Sequence, residues 1–299
     1  MKFFKILALT LSLGCMSVQA QNISIATGGT GGVYYPMGGG LAAVLSKHVS
    51  GMSATAEVTG GSVDNLKLIG TGKPYVGFAM ADATKDAADG ADKFKDKPID
   101  LRTLLVLYPN LMHVATVEST GIKTMKDLKG KRISTGSPGS ATEVMAMRLL
   151  EAAGLDPNKD VKRERLSVAE SVNAVKDRKI EAFFWVGGLP TAAVTDLANS
   201  PGMKIVMVET SAEVPAMNKK YGNLYFPSVI SKQTYSGMAK DNNVAAVANV
   251  LVVSSAMPDA EAYKIVKAIF DNQLELVRSH AEYRNVKLEN QKASSTPVA

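Results

Sequence analysis

Residues Ile23 to Gly40, I-S-I-A-T-G-G-T-G-G-V-Y-Y-P-M-G-G-G, decide how the rest of the chain is read. They open with the alternation of a short strand and lead into Leu41, Val44, Leu45, His48 and Val49, the spacing of one helical face. The turn between is dense in glycine. Gly28, Gly29, Gly31 and Gly32 can take backbone angles closed to other residues, which lets main-chain N–H groups crowd around a guest. Pro36 suits the first helical turn, where its missing N–H costs nothing. Such a helix start carries unpaired N–H groups and roughly half a positive charge, and so suits a carboxylate or another small anion.

Strand and helix signals alternate outward from this loop. Ala54 to Val58 reads as a strand, and Ser62 is placed to cap a helix through Leu66 and Ile69. Tyr75 to Met80 is an apolar strand and Ala81 to Asp89 a helix with Asp82 near its start. Leu101 to Leu107 and His113 to Val117 read as two more strands. A second pass of the same grammar begins near Ile122, with a strand at Arg132 to Thr135 and the loop G-S-P-G-S-A-T-E opening a helix. Ser140 with Glu143, and Ser167 with Glu170, have the capping-box spacing. Ile180 to Val186 is an aromatic-rich strand, Pro190 starts the helix after it, and Lys204 to Val208 is a strand. Tyr221 to Gly237 reads as irregular chain and Val244 to Val253 as a strand. Asp259 opens a long amphipathic helix with Tyr263, Val266, Ile269, Phe270, Leu274 and Val277 on one side. This alternation predicts an α/β fold with a largely parallel sheet.

The 299 residues suffice for two lobes with a core each. Lys2 and Lys5, the apolar run Ile6 to Leu13 and the small-x-small site Val18-Gln19-Ala20 describe a secretory signal peptide over residues 1–20, cleaved before Gln21. Cys15, the single cysteine, lies within it, and Leu13-Gly14-Cys15 offers a lipoprotein site as the alternative. A chain starting at Gln21 is therefore exported without disulfides and relies on its core. No later run is long and apolar enough to span a bilayer. The net charge of +6 includes Lys2 and Lys5, so the chain from Gln21 carries +4, spread among acidic neighbours rather than concentrated on one face as in nucleic-acid binders.

Several chemistries lack their motifs. G-T-G-K-P has no hydroxyl residue after the lysine, and Tyr34 stands where a dinucleotide fingerprint needs its third glycine. There is no G-x-S-x-G elbow, no H-E-x-x-H and no cysteine pair. The three histidines, His48, His113 and His280, are far apart, and His113 among apolar residues reads as core. No cofactor or metal is expected. What remains is two glycine loops, one in each half, each opening a helix beside hydroxyl residues. Together they favour a ligand held between two lobes. Tyr34, Tyr35 and Trp185 are the aromatic candidates for its walls.

A-T-G-G-T-G-G-V-Y-Y-P-M-G-G-G, T-G-G-S-V-D-N-L, V-G-F-A-M-A-D-A, D-L-K-G-K-R-I-S-T-G-S-P-G-S-A-T-E and F-F-W-V-G-G-L-P resemble, in this order, the TAXI family of solute-binding proteins. The resemblance implies a two-lobed periplasmic-binding-protein fold of the type II kind, with glutamate, a related amino acid or a small dicarboxylate in the cleft. It also implies delivery to the membrane subunits of a sodium-driven tripartite ATP-independent periplasmic (TRAP) transporter, and hence a periplasmic monomer without catalysis. Carried over, it places Thr27, Gly28, Gly29, Tyr34, Tyr35, Ser62 and Asp82 on one wall. Ser137, Ser140, Ala141 and Thr142 face them, with Trp185, Gly187 and Pro190 nearby. The first lobe would comprise residues 22–112 plus 250–299, the second 113–249. Two departures stand out. Met80-Ala81 occupies positions where the family commonly has glutamine and serine, and the chain stops at Pro297-Val298-Ala299 where the family tends to add a turn and a last helix, which predicts uncovered apolar surface on the first lobe. A ligand-presenting sensor component, or a periplasmic hydrolase, is the alternative reading.

Overall fold

The computed structural model describes residues 21–293; the leader with Cys15, and the tail after residue 293, lie outside the described residues. The first elements are β1 (Gln21–Ala26), α1 (Tyr34–His48), β2 (Met52–Glu57), α2 (Ser62–Ile69), β3 (Tyr75–Met80) and α3 (Ala81–Asp89). β4 (Leu101–Val117), β5 (Arg132–Ser134), α4 (Ala141–Ala152), β6 (Lys162–Glu164), α5 (Val168–Lys176), β7 (Ala182–Gly187) and α6 (Ala192–Ala198) follow. The rest comprises β8 (Ile205–Met207), α7 (Val214–Tyr221), β9 (Tyr225–Ile230), β10 (Asn242–Ser254), α8 (Asp259–Asp271) and α9 (Gln273–Ser279).

The strands form one sheet in the order β2-β1-β3-β10-β4-β7-β5-β6, with β8 on β4 and β9 on β10. It is mixed rather than largely parallel. β1 runs parallel to β2 and β3, and β5 parallel to β6 and β7, but antiparallel pairs link β3 to β10, β10 to β4 and β4 to β7. The cause is the pair of long strands, β4 with 17 residues and β10 with 13, which run through both lobes. The two strands expected on either side of Pro109 are thus one. Pro109 faces Ala248, and the ladder shifts register next to it, between Asn249 and Val250, the kind of irregularity that lets a strand keep a proline.

Alternation along these strands sorts the side chains into three cores. Val250 and Val252 join Leu66, Met80, Val114, Ile133 and Leu149 in a single core that runs beneath both lobes. On the opposite face, Leu251 and Val253 pack with Ile25, Leu41, Phe78 and Ile265, whereas Ala246 packs with Val172, Phe183 and Leu197 in a separate core. The lobes therefore share one core and divide on the other face.

Some local expectations are corrected. Ser62 is the first residue of α2, with Gly61 as its cap, and its hydroxyl accepts the Met80 N–H at 3.2 Å. The helix after Pro190 starts at Ala192 with Thr191 as its cap, following a cis Leu189–Pro190 peptide. The stretch read as irregular holds the end of α7 and all of β9, which pairs along β10 from Tyr225 to Ile230. The last long helix breaks at Asn272 into α8 and α9. Its buried face is Ala262, Ile265, Ala268, Ile269 and Leu276, so Tyr263 and Leu274, expected inside, are 66% and 86% exposed.

Candidate functional site

Four helices begin on one cleft. The β1–α1 loop lines it with Gly28, Gly29, Gly32, Val33 and Tyr34, and the β2–α2 loop with Gly60, Gly61 and Ser62. The opposite wall is Gly136, Ser137, Ser140, Ala141 and Thr142 ahead of and at the start of α4, with Ser167 and Val168 at the start of α5. Met80, Trp185, Val186 and Gly187 come from the ends of β3 and β7. The cleft holds about 570 Å³ of non-atom space, part of it open to solvent, and among the described residues no charged side chain lines it. Each helix start brings N–H groups without intrahelical partners and a partial positive charge. Some are already used. Ser140 Oγ accepts the Glu143 N–H at 3.1 Å, Ser167 Oγ the Glu170 N–H at 3.3 Å, and Gly139 O the Asp64 N–H at 3.1 Å. The N–H groups one and two residues ahead of these remain for a guest.

The two glycine loops owe their glycines to different causes. None of Gly28, Gly29, Gly31 and Gly32 is in the left-handed region, contrary to the conformational reading; at Gly31 and Gly32 the loop needs space instead. A Cβ on Gly31 would lie 3.0 Å from Ala169 Cβ, and one on Gly32 would lie 2.8 Å from the Trp185 ring. Gly61, on the same wall, has φ +120°, and Gly136 across the cleft has φ +103°, so at these two positions the turn itself requires glycine.

The hydroxyls divide in the same way. Ser137 Oγ donates across the cleft to Gly60 O at 3.0 Å, and Ser140 Oγ donates to Ser137 O at 2.7 Å, so both protons serve the loops. Thr142, 4% exposed, accepts the Val186 N–H at 3.4 Å, and its own proton has no acceptor among the described residues. Tyr34 stacks on Phe78 and donates to Asn249 Oδ1 at 2.9 Å while accepting from Asn110 Nδ2 at 3.3 Å. Burial pushes its phenol up to about 12, so it stays a neutral donor. Trp185 lies against Gly32 and Gly187 and donates from Nε1 to Thr191 Oγ1 at 2.8 Å.

A family model described as the NMT1-like family matches residues 25–298. The chain belongs to the NMT1-like family. Solved structures share its fold. A putative L-cystine ABC transporter protein from Listeria monocytogenes is 16% identical with a TM-score of 0.53, over 88% of this chain and 95% of that one. An ancestral arginine-binding protein bound to arginine is 12% identical with a TM-score of 0.52, over 89% and 99%. The binding protein of a phosphonate ABC transporter from Pseudomonas aeruginosa is 12% identical with a TM-score of 0.53, over 88% and 79%. At such identities the likeness is one of fold.

Of the residues expected at the site of this NMT1-like chain, Gly28, Gly29, Tyr34, Ser62, Ser137, Ser140, Ala141, Thr142, Trp185 and Gly187 line the cleft together. Four do not line it. Thr27 is fully buried behind the loop and donates to Glu57 O at 2.6 Å. Tyr35 points outward, 38% exposed, because it follows Tyr34 on a helix and faces away from it. Pro190 lies beyond the cleft, its carbonyl accepting from His280 Nε2 at 3.3 Å. Asp82, at the start of α3, is turned into the shared core, where it accepts from Tyr225 OH at 2.9 Å with the Arg148 guanidinium 3.9 Å away. Arg148 of the NMT1-like chain also pairs with Asp86 and Asp92, so this cluster ties α3 to α4.

Gly32, read as part of the donor-rich loop, also lines the cleft, as do Val33, Gly60, Gly61, Met80, Gly136, Ser167, Val168 and Val186, which the sequence reading does not single out for the site. The signal for Gly60, Gly61 and Gly136 was present in T-G-G-S and G-S-P-G-S. Asn65 was also missed. Fully buried, its amide donates to Ala26 O, Thr27 O and Phe78 O at 3.2, 2.7 and 2.8 Å, which holds the ends of β1 and β3 and the first loop in place. His113 is core as read. It contacts Leu111 O and Tyr235 OH, and burial lowers its imidazole to about 4. Among the described residues no helix is long and apolar enough to cross a membrane.

Proposed function

We propose that this member of the NMT1-like family is an extracytoplasmic solute-binding protein that closes two lobes over a small carboxylate. The observation that carries this is the convergence of four helix starts on one cleft without a charged side chain. A carboxylate there exchanges hydration for fixed N–H and O–H donors, and the aligned peptide dipoles favour its charge. Val33, Met80, Val168 and Trp185 supply the apolar surface for its carbon chain. The cleft has hydroxyls but no histidine, lysine or carboxylate beside them to act as a base, which favours binding over hydrolysis. In this reading the first lobe comprises residues 22–112 plus 250–299 and the second 113–249, with β4 and β10 as the connection. The site comprises the expected residues that line the cleft.

The finer reading is that of a TAXI-type protein serving a TRAP transporter in the periplasm, and it rests on the motif resemblance. Two measurements test the proposal. In a thermal-shift screen, a matching carboxylate at a hundred times its dissociation constant should stabilise the protein by about 2.7 kcal/mol, whereas no response to any small anion would sink the reading. Uptake into vesicles carrying TRAP membrane subunits should need this protein and a sodium gradient; uptake that needs ATP instead would refute the TRAP assignment.

A further inference from the structure

We propose that the solute of this cleft carries negative charge only, a small mono- or dicarboxylate or 2-oxo acid without an ammonium group. This rests on the binding-protein reading above and narrows its ligand class. An α-amino acid needs its carboxylate met by donors and its ammonium met by acceptors, ideally an ionised acid, because a buried unpaired cation is costly. The cleft supplies the first and offers no ionised acid for the second. No aspartate or glutamate lines it.

The nearby carboxylates are committed elsewhere. Asp82 is held by Tyr225 and Arg148 inside the shared core. Glu143 faces away from the cleft and pairs with Arg165 at 2.6 Å and Arg163 at 3.3 Å. Glu282 accepts the Leu189 N–H at 2.6 Å and the Asn285 amide at 2.6 Å. Asp64, half-buried, comes nearest. Its carboxylate lies against Gly60 and Gly139, outside the lining, at the start of its own helix α2.

Thr142 and Ser167 offer the cleft hydroxyl protons. The Thr142 hydroxyl accepts the Val186 N–H and keeps its proton, although the side chain is almost wholly buried. Ser167 has likewise accepted the Glu170 N–H. Four helix starts add partial positive charge from both walls. An acceptor-only anion answers these donors and the charge of the helix starts. An ammonium group in the same space would sit in a field of its own sign.

The test is calorimetry on the mature chain with matched pairs differing only at the α position: glutarate and 2-oxoglutarate against L-glutamate, and succinate against L-aspartate. The expected result is that the ammonium-bearing member of each pair binds at least about tenfold more weakly. Asp64→Asn, which removes the one carboxylate near the seam, should leave this ranking unchanged. An amino acid that binds as tightly as its unaminated partner overturns the inference, and loss of that binding in Asp64→Asn would name the missing acceptor. If no member of either pair binds, the binding-protein reading fails and this inference with it.

Discussion

Ser137 Oγ donates to the main-chain oxygen of Gly60 at 3.0 Å, so the β5–α4 loop and the β2–α2 loop are joined directly across the cleft. The Asp64 N–H to Gly139 O bond, 3.1 Å, lies beside it, and the Ala193 N–H reaches Gly31 O at 3.2 Å on the other rim. These bonds join opposite sides of the cleft, and in the proposed two-lobe reading they link the lobes. They therefore favour the closed arrangement in which the helix starts face one another.

Ser137→Ala should weaken ligand binding by about 1 kcal/mol, the worth of one neutral hydrogen bond, with little change in melting temperature. In the proposed clamp this bond holds the closed form, so the loss should appear mainly as faster ligand release in stopped-flow measurements. Unchanged release would mean that this contact does not hold the clamp.

Arg148 and Asp82 give a contrasting case. Arg148, 4% exposed, compensates the fully buried Asp82 and also bonds Tyr225 OH at 2.9 Å. Arg148→Met should lower stability by about 3–5 kcal/mol, because it strands a buried carboxylate. Tyr225→Phe should cost less. In Asp82→Asn, which lies outside the cleft lining, ligand affinity should stay near wild type. A urea unfolding midpoint unmoved by Arg148→Met would contradict the role given to the cluster.

Two glycines of the same segment should respond in opposite directions. Gly39 is inside α1, and a Cβ there meets nothing within 4 Å, so Gly39→Ala should stabilise by about 0.5–1 kcal/mol. Gly32→Ala drives a Cβ into the Trp185 ring and should shift tryptophan emission and weaken binding. Trp185 is the only tryptophan, so the emission change is assigned without ambiguity.

His113 links stability to pH. Its folded value is about 4, below the ordinary 6.5, because burial disfavours the cation. Between those values the unfolded chain takes the proton first. Stability from this group is therefore complete above about pH 6.5 and declines by up to about 3 kcal/mol as pH falls to 4. Asp86 acts in the opposite direction: burial raises its carboxyl to about 6, so the folded form takes that proton first. Comparing unfolding free energies of wild type and His113→Gln from pH 7.5 to 4.5 isolates the histidine. Parallel curves would show that His113 does not titrate in this way.

Much of the fold is legible where periodicity and burial agree. Tyr75 to Met80 and Ala81 to Asp89 have the bounds expected of them, since a continuous apolar run gives way to small and polar residues. Pro109 hides the continuity of β4, because a proline reads as a break unless the register shift close by, at Leu107, is known. Tyr263 and Leu274 mislead because a helical stripe read from sequence is fixed in spacing but not in phase. The glycine loops are legible as donor-rich turns. Their partners are not: Asp82 meets Arg148 and Ser137 meets Gly60 only after the sheet is assembled.

The most direct test of the cleft is a titration of wild type and Gly29→Val with the carboxylate that stabilises the protein best. Gly29 lines the cleft without left-handed strain, and its nearest neighbour to an added Cβ is Ser167 Cβ at 3.8 Å, so valine fills the binding space while the fold persists. Affinity should fall roughly a hundredfold, in line with the cost of overpacking a tight site, at an unchanged melting temperature of the free protein. Wild-type affinity in a folded Gly29→Val protein would contradict this and move the ligand elsewhere.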